Sequence, residues 1–482
     1  MLEGLEAVEI SKSRISSEND IFRLDSQYFK KEYLKEDSNR KRFNNKYLGQ
    51  IAFITDGQHG YHEVDENSPI RHLTAKNAKG WFANDVDADR IAKWVDDNNL
   101  RSSLEKDDLI LSTRGTVGLC AIVDSDVLPS NIDQDVARIK IESNVILPTV
   151  ALSYLNCKVG QDWLERNQTG MVQQGIALWR VREIPLPIFS DKFQNVIDGI
   201  IKNSRKYKDN SKQTYAAAET LLLETIGLNN FEPSTDPINV KNFKESFWAT
   251  GRLDAEYYQK KYEDYIKLIC RYPNGYEALQ ILCNQKDNNF TPEDKTEYKY
   301  IELADIGKSG EIKSCTIAQG AELPTRARRK VNTNDVVVSS IEGSLDSCAL
   351  VTEEYNNALC STGFYVINSK KINSETLLVL FKSEPMQNIL KQNCSGTILT
   401  AINKTEFQNI HVPLIDKSIQ EIIKDKISES FKLKKQSEQL LETAKRAVEL
   451  AIEKDEKTAI EFIKRSSVAV NGIAEQKNHR KR

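Results

Sequence analysis

Chemistry requires particular side chains at particular spacings, and this 482-residue chain offers only short candidates. Asp294 with Glu311 and Lys313 in "EIK" has the carboxylates that could hold a magnesium ion in a nuclease. The first half has no counterpart, and in a chain with 28% charged residues such matches arise by chance. "HGYH" contributes His59 and His62 as possible metal ligands, but no third ligand of suitable spacing follows. "DIGKSG" supplies Gly307, Lys308 and Ser309, yet the first glycine of a phosphate-cradling loop would fall on Glu302, so the segment reads as an ordinary turn. There is no [N/D]PP[F/Y] loop for an amino-methyltransferase and no G-x-S-x-G elbow. The expectation is a chain with no catalytic residue, no metal and no cofactor of its own.

Reading DNA asks for different residues: Lys and Arg to reach phosphates, and Arg, Asn and Gln to match base edges from loops or ribbons that enter a groove. In the first half these are Gln58 in "DGQHGYH", then Arg71, Lys76, Asn77 and Lys79 in "RHLTAKNAKGW", Arg114, and Gln173 and Gln174 in "NQTGMVQQG". In the second half "LPTRARRK" concentrates Arg326, Arg328, Arg329 and Lys330. The formal net charge of the whole chain is -3, so a basic run of this density has a local purpose, for which nucleic acid is the usual partner.

The elements that must position these residues come in duplicate. "RLDSQYFKKEY" (23–33) returns as "RLDAEYYQKKY" (252–262), and "DDLILSTRGTVGLCAIV" (107–123) as "NDVVVSSIEGSLDSCALV" (334–351), each of the latter reading as a β-hairpin or a pair of short strands. "QTGMVQQGIALWRVREIPLPIF" (168–189) matches "CSGTILTAINKTEFQNIHVPLI" (394–415). The chain therefore reads as a tandem duplication.

After each proline-marked strand comes a long charged segment without proline, which predicts an exposed helix. In the first, Ile197, Ile201, Ser204, Lys208, Ser211, Tyr215, Ala218 and Leu222 step by alternating 4 and 3; in the second, Ile423, Ile427, Ser430, Lys434, Ser437, Leu441, Ala444 and Val448 do the same. That alternation is a coiled-coil seam, with Ile197, Ile201, Tyr215 and Leu222 facing Ile423, Ile427, Leu441 and Val448. The alternative is that each helix only covers its own domain. Antiparallel pairing would place one globular half at each end of a spacer about 45 to 55 Å long at 1.5 Å per residue, a scale suited to two sites on one face of B-DNA. Lys202, Arg205, Lys206, Lys208 and Lys212 on the first helix are expected to serve partner docking or solvation rather than phosphate contact.

Apolar content of 39% suffices for two or three cores. No run of about 18 apolar residues exists and the N-terminus has no signal-like apolar region, so the expected location is the cytoplasm, without membrane. The eight cysteines include no CxxC pair and are expected to be reduced and mostly buried.

"DLILSTRGTVGLCAIV" and "GIALWRVREIPLPIF", repeated in the same order in the second half, resemble the specificity (S) subunits of type I restriction-modification systems. The resemblance runs over essentially the whole length, although Ile341 and Glu342 stand in the second half where the first has Arg114 and Gly115. It implies an α/β fold: two duplicated target-recognition domains separated by two long helices that form an antiparallel coiled-coil spacer with a pseudo-two-fold axis. The corresponding division is 1–190 first recognition domain, 191–227 first spacer helix, 228–240 linker, 241–415 second recognition domain, 416–465 second spacer helix and 466–482 flexible basic tail. It also implies a non-catalytic subunit that binds double-stranded DNA at a bipartite target. Two adenine-N6 methyltransferase (M) subunits and endonuclease/translocase (R) subunits would be its partners. The alternatives are a specificity subunit of another methylation-based defence system, and a two-domain scaffold gripping protein partners.

Overall fold

Runs of β-branched and aliphatic residues form the sheets, and proline, glycine and asparagine end them. The computed structural model describes residues 8–13, 15, 23–142, 144–170, 174–396 and 400–466, and its secondary structure is mixed helix and sheet. Contacts divide the chain into two units, Met1–Tyr207 with Lys435–Arg482, and Lys208–Lys434.

In the first unit the wholly buried run Leu109–Ser112 pairs antiparallel with Cys120–Ile122 on one side and with Val136–Ile141 on the other. Val136–Ile141 pairs in turn with Ala52–Asp56, which completes a four-stranded antiparallel sheet. A smaller sheet sets Arg71–Leu73 parallel to Ser130–Ile132 and antiparallel to Asp89–Arg90. Pro185–Pro187 is the only part of the proline-marked stretch that is strand. It pairs with Asn45–Tyr47 in a two-stranded ribbon, the kind of edge position in which proline's missing N–H is tolerated.

The apolar face of the four-stranded sheet packs on helix Pro148–Asn156, on Phe193, Ile197 and Ile201 of the first long helix, Asp191–Thr225, and on Ala444, Val448 and Ala451 of the second, Lys417–Glu453. Leu441 joins this core partly buried. On the sheet's other side, Arg138 and Asp108 form an ion pair at 2.7 Å with side chains 5% and 2% exposed. Burial pushes the Asp108 carboxyl up, and the Glu105 amide and the Arg138 guanidinium work against that push.

The second unit repeats the strand plan. Val336–Ser339 pairs antiparallel with Cys348–Leu350 and with Phe364–Asn368, and Asn284–Gln285 closes the sheet. Its smaller sheet sets Glu297–Ile301 between Thr316–Gln319 and Leu359–Ser361, and Ala327–Lys330 adds a further edge strand. Tyr276–Ala278 pairs with His411–Pro413. Leu222, Ile423 and Ile427 are buried in this unit's core, with Tyr215 packed partly buried against it.

Both "RLD" motifs adopt one conformation. Arg23 grips Asp25 through two nitrogens at 2.7 and 2.9 Å while its third reaches the Arg166 carbonyl. Arg252 does the same with Asp254, its third nitrogen reaching the Gln392 carbonyl at 3.4 Å. The motif is therefore a fork that ties the segment leading into Lys31–Arg40 or Lys260–Cys270 to the end of Lys158–Arg166 or Glu384–Gln392.

The first long helix ends where Gly227, at φ 75°, takes the left-handed conformation and Leu228 N–H returns to the Leu223 carbonyl. The second does not run unbroken to 465 as its heptads suggest. It stops at Glu453, and Asp455 accepts the Thr458 N–H at 2.7 Å to start a separate helical segment at 456–466. An aspartate there caps a new helix better than it continues the old one. Residues 467–482, most of the expected basic tail, lie outside the described residues.

Asp108→Ala strands the buried Arg138 guanidinium with Glu105 as its remaining carboxylate partner, and is expected to cost about 3 kcal/mol of stability. The shift of the urea unfolding midpoint measures it.

Candidate nucleic-acid interface

The "TRGTVG" turn between Leu109–Ser112 and Cys120–Ile122 is built by glycine: Gly115 and Gly118 have φ of 71° and 94°. Ser112 Oγ donates to the Thr116 carbonyl at 2.6 Å and accepts the Leu119 N–H at 2.8 Å, which fixes the turn from inside. Thr113 N–H binds the Asp135 carbonyl, the Ile176 N–H binds the Thr113 carbonyl, and Arg114 bridges Gly175.

A second chain segment reaches the same place. Gly57 and Gln58 lie against Ile132 and Asp133 so closely that a Cβ on Gly57 would sit 1.7 Å from the Ile132 carbonyl oxygen. Only glycine fits this approach. Gln58, the Asp133–Asp135 turn, Arg114 and Gly175 therefore form one continuous rim. Arg114 is half exposed and pairs with Asp135 at 3.1 Å. Burial pushes the Asp133 carboxyl up to about 6. Gln58 donates to the Tyr61 carbonyl at 2.8 Å, and its Oε1 is buried with no partner among the described residues. Gln174 is exposed beside Gly175. Gln173 lies outside the described residues.

Of the remaining first-half candidates, Lys76 and Lys79 are exposed on and just after the turn Ala75–Ala78. Arg71 is half-buried, paired with Asp85 at 2.9 Å and donating to the Leu128 carbonyl. Asn77 is not a base reader: it is 1% exposed, its Oδ1 accepts the Thr74 N–H at 2.8 Å and its Nδ2 donates to the Val86 carbonyl. An asparagine three residues after a turn's first residue closes that turn on itself, and nothing of its amide is left for a ligand.

In the second unit the basic run lies on the edge strand Ala327–Lys330, where a bulge between Ala327 and Arg329 breaks the alternation of side chains. Its four charges do not share one face. Arg326 is 62% exposed and pairs with Glu302 at 3.0 Å. Arg328 donates to Thr291 Oγ1, Arg329 turns back to the Asp287 carbonyl, and the Lys330 ammonium sits 5.5 Å from the centre of the Phe290 ring. At the place of Arg114 and Gly175, Ile341 bridges Ala401, and Ser340 N–H binds the Gly363 carbonyl as Thr113 binds Asp135. The Arg114–Asp135 ion pair of one unit is thus Ile341 with Gly363 in the other. A Cβ on Gly363 would come 3.7 Å from Ile341 Cγ1.

The carboxylates that hold these cations, Asp135 and Glu302, are what the sequence reading missed; "DQD" immediately before a buried strand was the available signal. Among the described residues no group of His, Cys, Asp and Glu could hold a metal ion, and no described helix is long and apolar enough to cross a membrane. Glu311 receives the Lys434 ammonium and the Ser309 N–H.

Residues 276–443 match the family described as type I restriction modification DNA specificity domain. A further relative is the type I restriction enzyme EcoBI specificity subunit of Escherichia coli, 28% identical over 109 residues, a match that spans 22% of this chain and 23% of that subunit. Two solved structures align along most of the chain at 12% identity. The S subunit of a type I restriction-modification system from M. genitalium has a TM-score of 0.40 and covers 87% of this chain and 96% of its own. The HsdS subunit from Thermoanaerobacter tengcongensis has a TM-score of 0.27 and covers 86% and 97%. The matched specificity domain contains the whole basic strand, the Ile341 turn and the Ile423, Ile427 and Leu441 positions of the second long helix. The Arg114 rim lies in the first unit, outside the match.

Behind that rim, His72 is 3% exposed, 4.1 Å from the His62 ring centre, and neither ring nitrogen has a partner among the described residues. Burial first, and then the His62 charge, pull its pKa down to about 4. Below about pH 6.5 the unfolded chain takes up a proton that the folded chain refuses. Stability from this group is therefore full above about 6.5 and falls as the pH drops toward about 4. His72→Leu is expected to flatten that part of the stability profile, read as denaturant midpoint against pH.

Proposed function

We propose that this chain is the DNA-specificity subunit of a type I restriction-modification complex. Each unit reads one half-site of a bipartite target in double-stranded DNA, and the subunit is non-catalytic. The observation that carries the reading is the specificity-domain match over 276–443, joined to the recurrence of the same sheet plan and the same Arg–Asp fork in the first unit. In this reading the division into two recognition domains, two spacer helices and a tail is that of a duplicated module.

The first and second long helices form an antiparallel spacer. Supporting this, Ser204 and Ser437 exchange hydrogen bonds, each Oγ donating to the other's carbonyl at 3.0 and 2.8 Å. In the second unit Ser211 and Ser430 do the same at 2.8 Å each way. The numbers rise on one helix as they fall on the other. Small hydroxyl residues at these seam positions allow the helix backbones to approach closely.

Arg114 and Gln58 with Gln174 are the base-reading and phosphate-reading residues of the first half-site, with Lys76, Lys79 and Arg71 beside them. Arg326, Arg328 and Lys330 contact the backbone of the second, and Arg329 supports them. Two methyltransferase subunits and the endonuclease subunits assemble on this framework, in the cytoplasm.

The test is the adenine-methylation pattern, by single-molecule sequencing, of DNA from cells with and without the gene while the companion methyltransferase is present. A bipartite motif with one fixed gap should appear only with the gene. If no motif changes although both proteins are made, the chain is a scaffold for protein partners and not a reader of DNA. Arg114→Ala is expected to weaken binding to the target duplex by about 1 to 3 kcal/mol, read as a fluorescence-anisotropy Kd at fixed salt. An unchanged salt slope would mark a base contact, and a slope lowered by about one a phosphate contact.

A further inference from the structure

The duplication supplies an internal control that isolates one feature of the first unit. Helix Lys31–Arg40 packs beside helix Lys158–Arg166, and in the second unit Lys260–Cys270 packs beside Glu384–Gln392. By the offsets of the repeat, Asp37, Arg40, Trp163 and Arg166 correspond to Ile266, Ile269, Ile389 and Gln392. In the second unit Ile269 and Ile389 belong to the apolar core and Ile266 packs against it. The same joint is thus lined by hydrocarbon in one unit and by guanidinium groups in the other. Fold stability does not require the charges, since burying them costs free energy that three isoleucines avoid.

What the charges create is a cavity of about 420 Å³ in the first unit, inside the range of about 300 to 1,000 Å³ typical of small-molecule sites. Tyr28, Phe29, Tyr47 and Trp163 line it with rings, and Arg40, Lys41, Arg166 and Arg180 line it with cations against Asp37 and Glu183. Asp37 pairs with both Arg40 and Arg166 at 2.7 Å, and Glu183 pairs with Arg180. The Arg166 guanidinium lies 4.1 Å from the centre of the Tyr28 ring and binds Asp37 at 2.7 Å, and its Nε is buried with no partner among the described residues. Arg180 is 8% exposed and held in place by Asn167 Oδ1 at 2.6 and 2.9 Å. Aromatic faces beside fixed guanidinium groups match a ligand that is a planar ring joined to a phosphate.

We propose that this cavity binds a nucleoside phosphate, its base stacked among the aromatic side chains and its phosphate on Arg166 and Arg40. The proposal is independent of DNA reading. It is tested by isothermal titration calorimetry of the full chain with ADP, GDP, CDP and UDP in turn, and with the parent nucleosides and inorganic phosphate. At least one diphosphate should bind, and its nucleoside and phosphate alone should bind about ten-fold more weakly or less. Arg166→Gln and Trp163→Ile, which install the second unit's residues, should each weaken binding about ten-fold while far-UV circular dichroism shows both variants folded. The absence of binding heat for all four diphosphates at about millimolar concentration, or binding unchanged in both variants, overturns the proposal. Displacement of the bound diphosphate by a non-target oligonucleotide also overturns it, assigning the cations to a nucleic-acid phosphate.

Discussion

The convergence of three backbone segments on the Asp133–Asp135 turn is the constraint on which the first unit depends. Gly57 and Gln58 approach Ile132 and Asp133, Leu73 accepts the Asp133 N–H, and Thr113 donates to the Asp135 carbonyl. Both sheets of the unit meet there, because Ser130–Ile132 belongs to one and Val136–Ile141 to the other. A turn bonded from three sides cannot drift, so the Arg114 side chain it holds is aimed by backbone rather than by its own rotamers. That is how a loop residue acquires a fixed direction.

The second unit keeps the backbone half of this arrangement and discards the side-chain half. Ser340 bonds Gly363 as Thr113 bonds Asp135, yet an isoleucine and a glycine stand where the arginine and aspartate were. An ion pair and an apolar contact are exchanged as a unit, since either partner alone would leave a charge unpaired or a cleft unfilled. The scaffold is therefore independent of the chemistry mounted on it. Two units with one strand plan can then present different surfaces.

A similar exchange separates the two helix joints. Where the second unit closes with Ile266, Ile269 and Ile389, the first places Asp37, Arg40, Trp163 and Arg166 and leaves a cavity. The two units share a backbone plan that tolerates either filling. The buried Asp108–Arg138 pair has an analogue in Lys286 and Asp335. The aspartate at that position is common to both units, while its cation comes from a different segment in each, and charge at the helix joint is not shared.

Several features were legible in the chain itself. Local patterns determine them: alternating apolar steps, proline and glycine at the ends, and a repeat long enough to be unmistakable. The hairpins at 107–123 and 334–351 and the two long helices follow from those patterns, because strand and helix periods need only neighbours in sequence. Local reading failed where a short-range capping preference competes with a long-range one. Asp455 breaks a heptad run, and Asn77 spends its amide on its own turn. It failed also for the basic strand, where a bulge between Ala327 and Arg329 sends charges clustered in the sequence to different partners. Only the tertiary structure decided which cations have carboxylate partners, that Gln58 meets Asp133 across 74 intervening positions, and that one helix joint lines a cavity with charge where its twin packs isoleucines. Those outcomes depend on contacts between residues far apart in the chain, for which no periodicity within a single segment carries a signal.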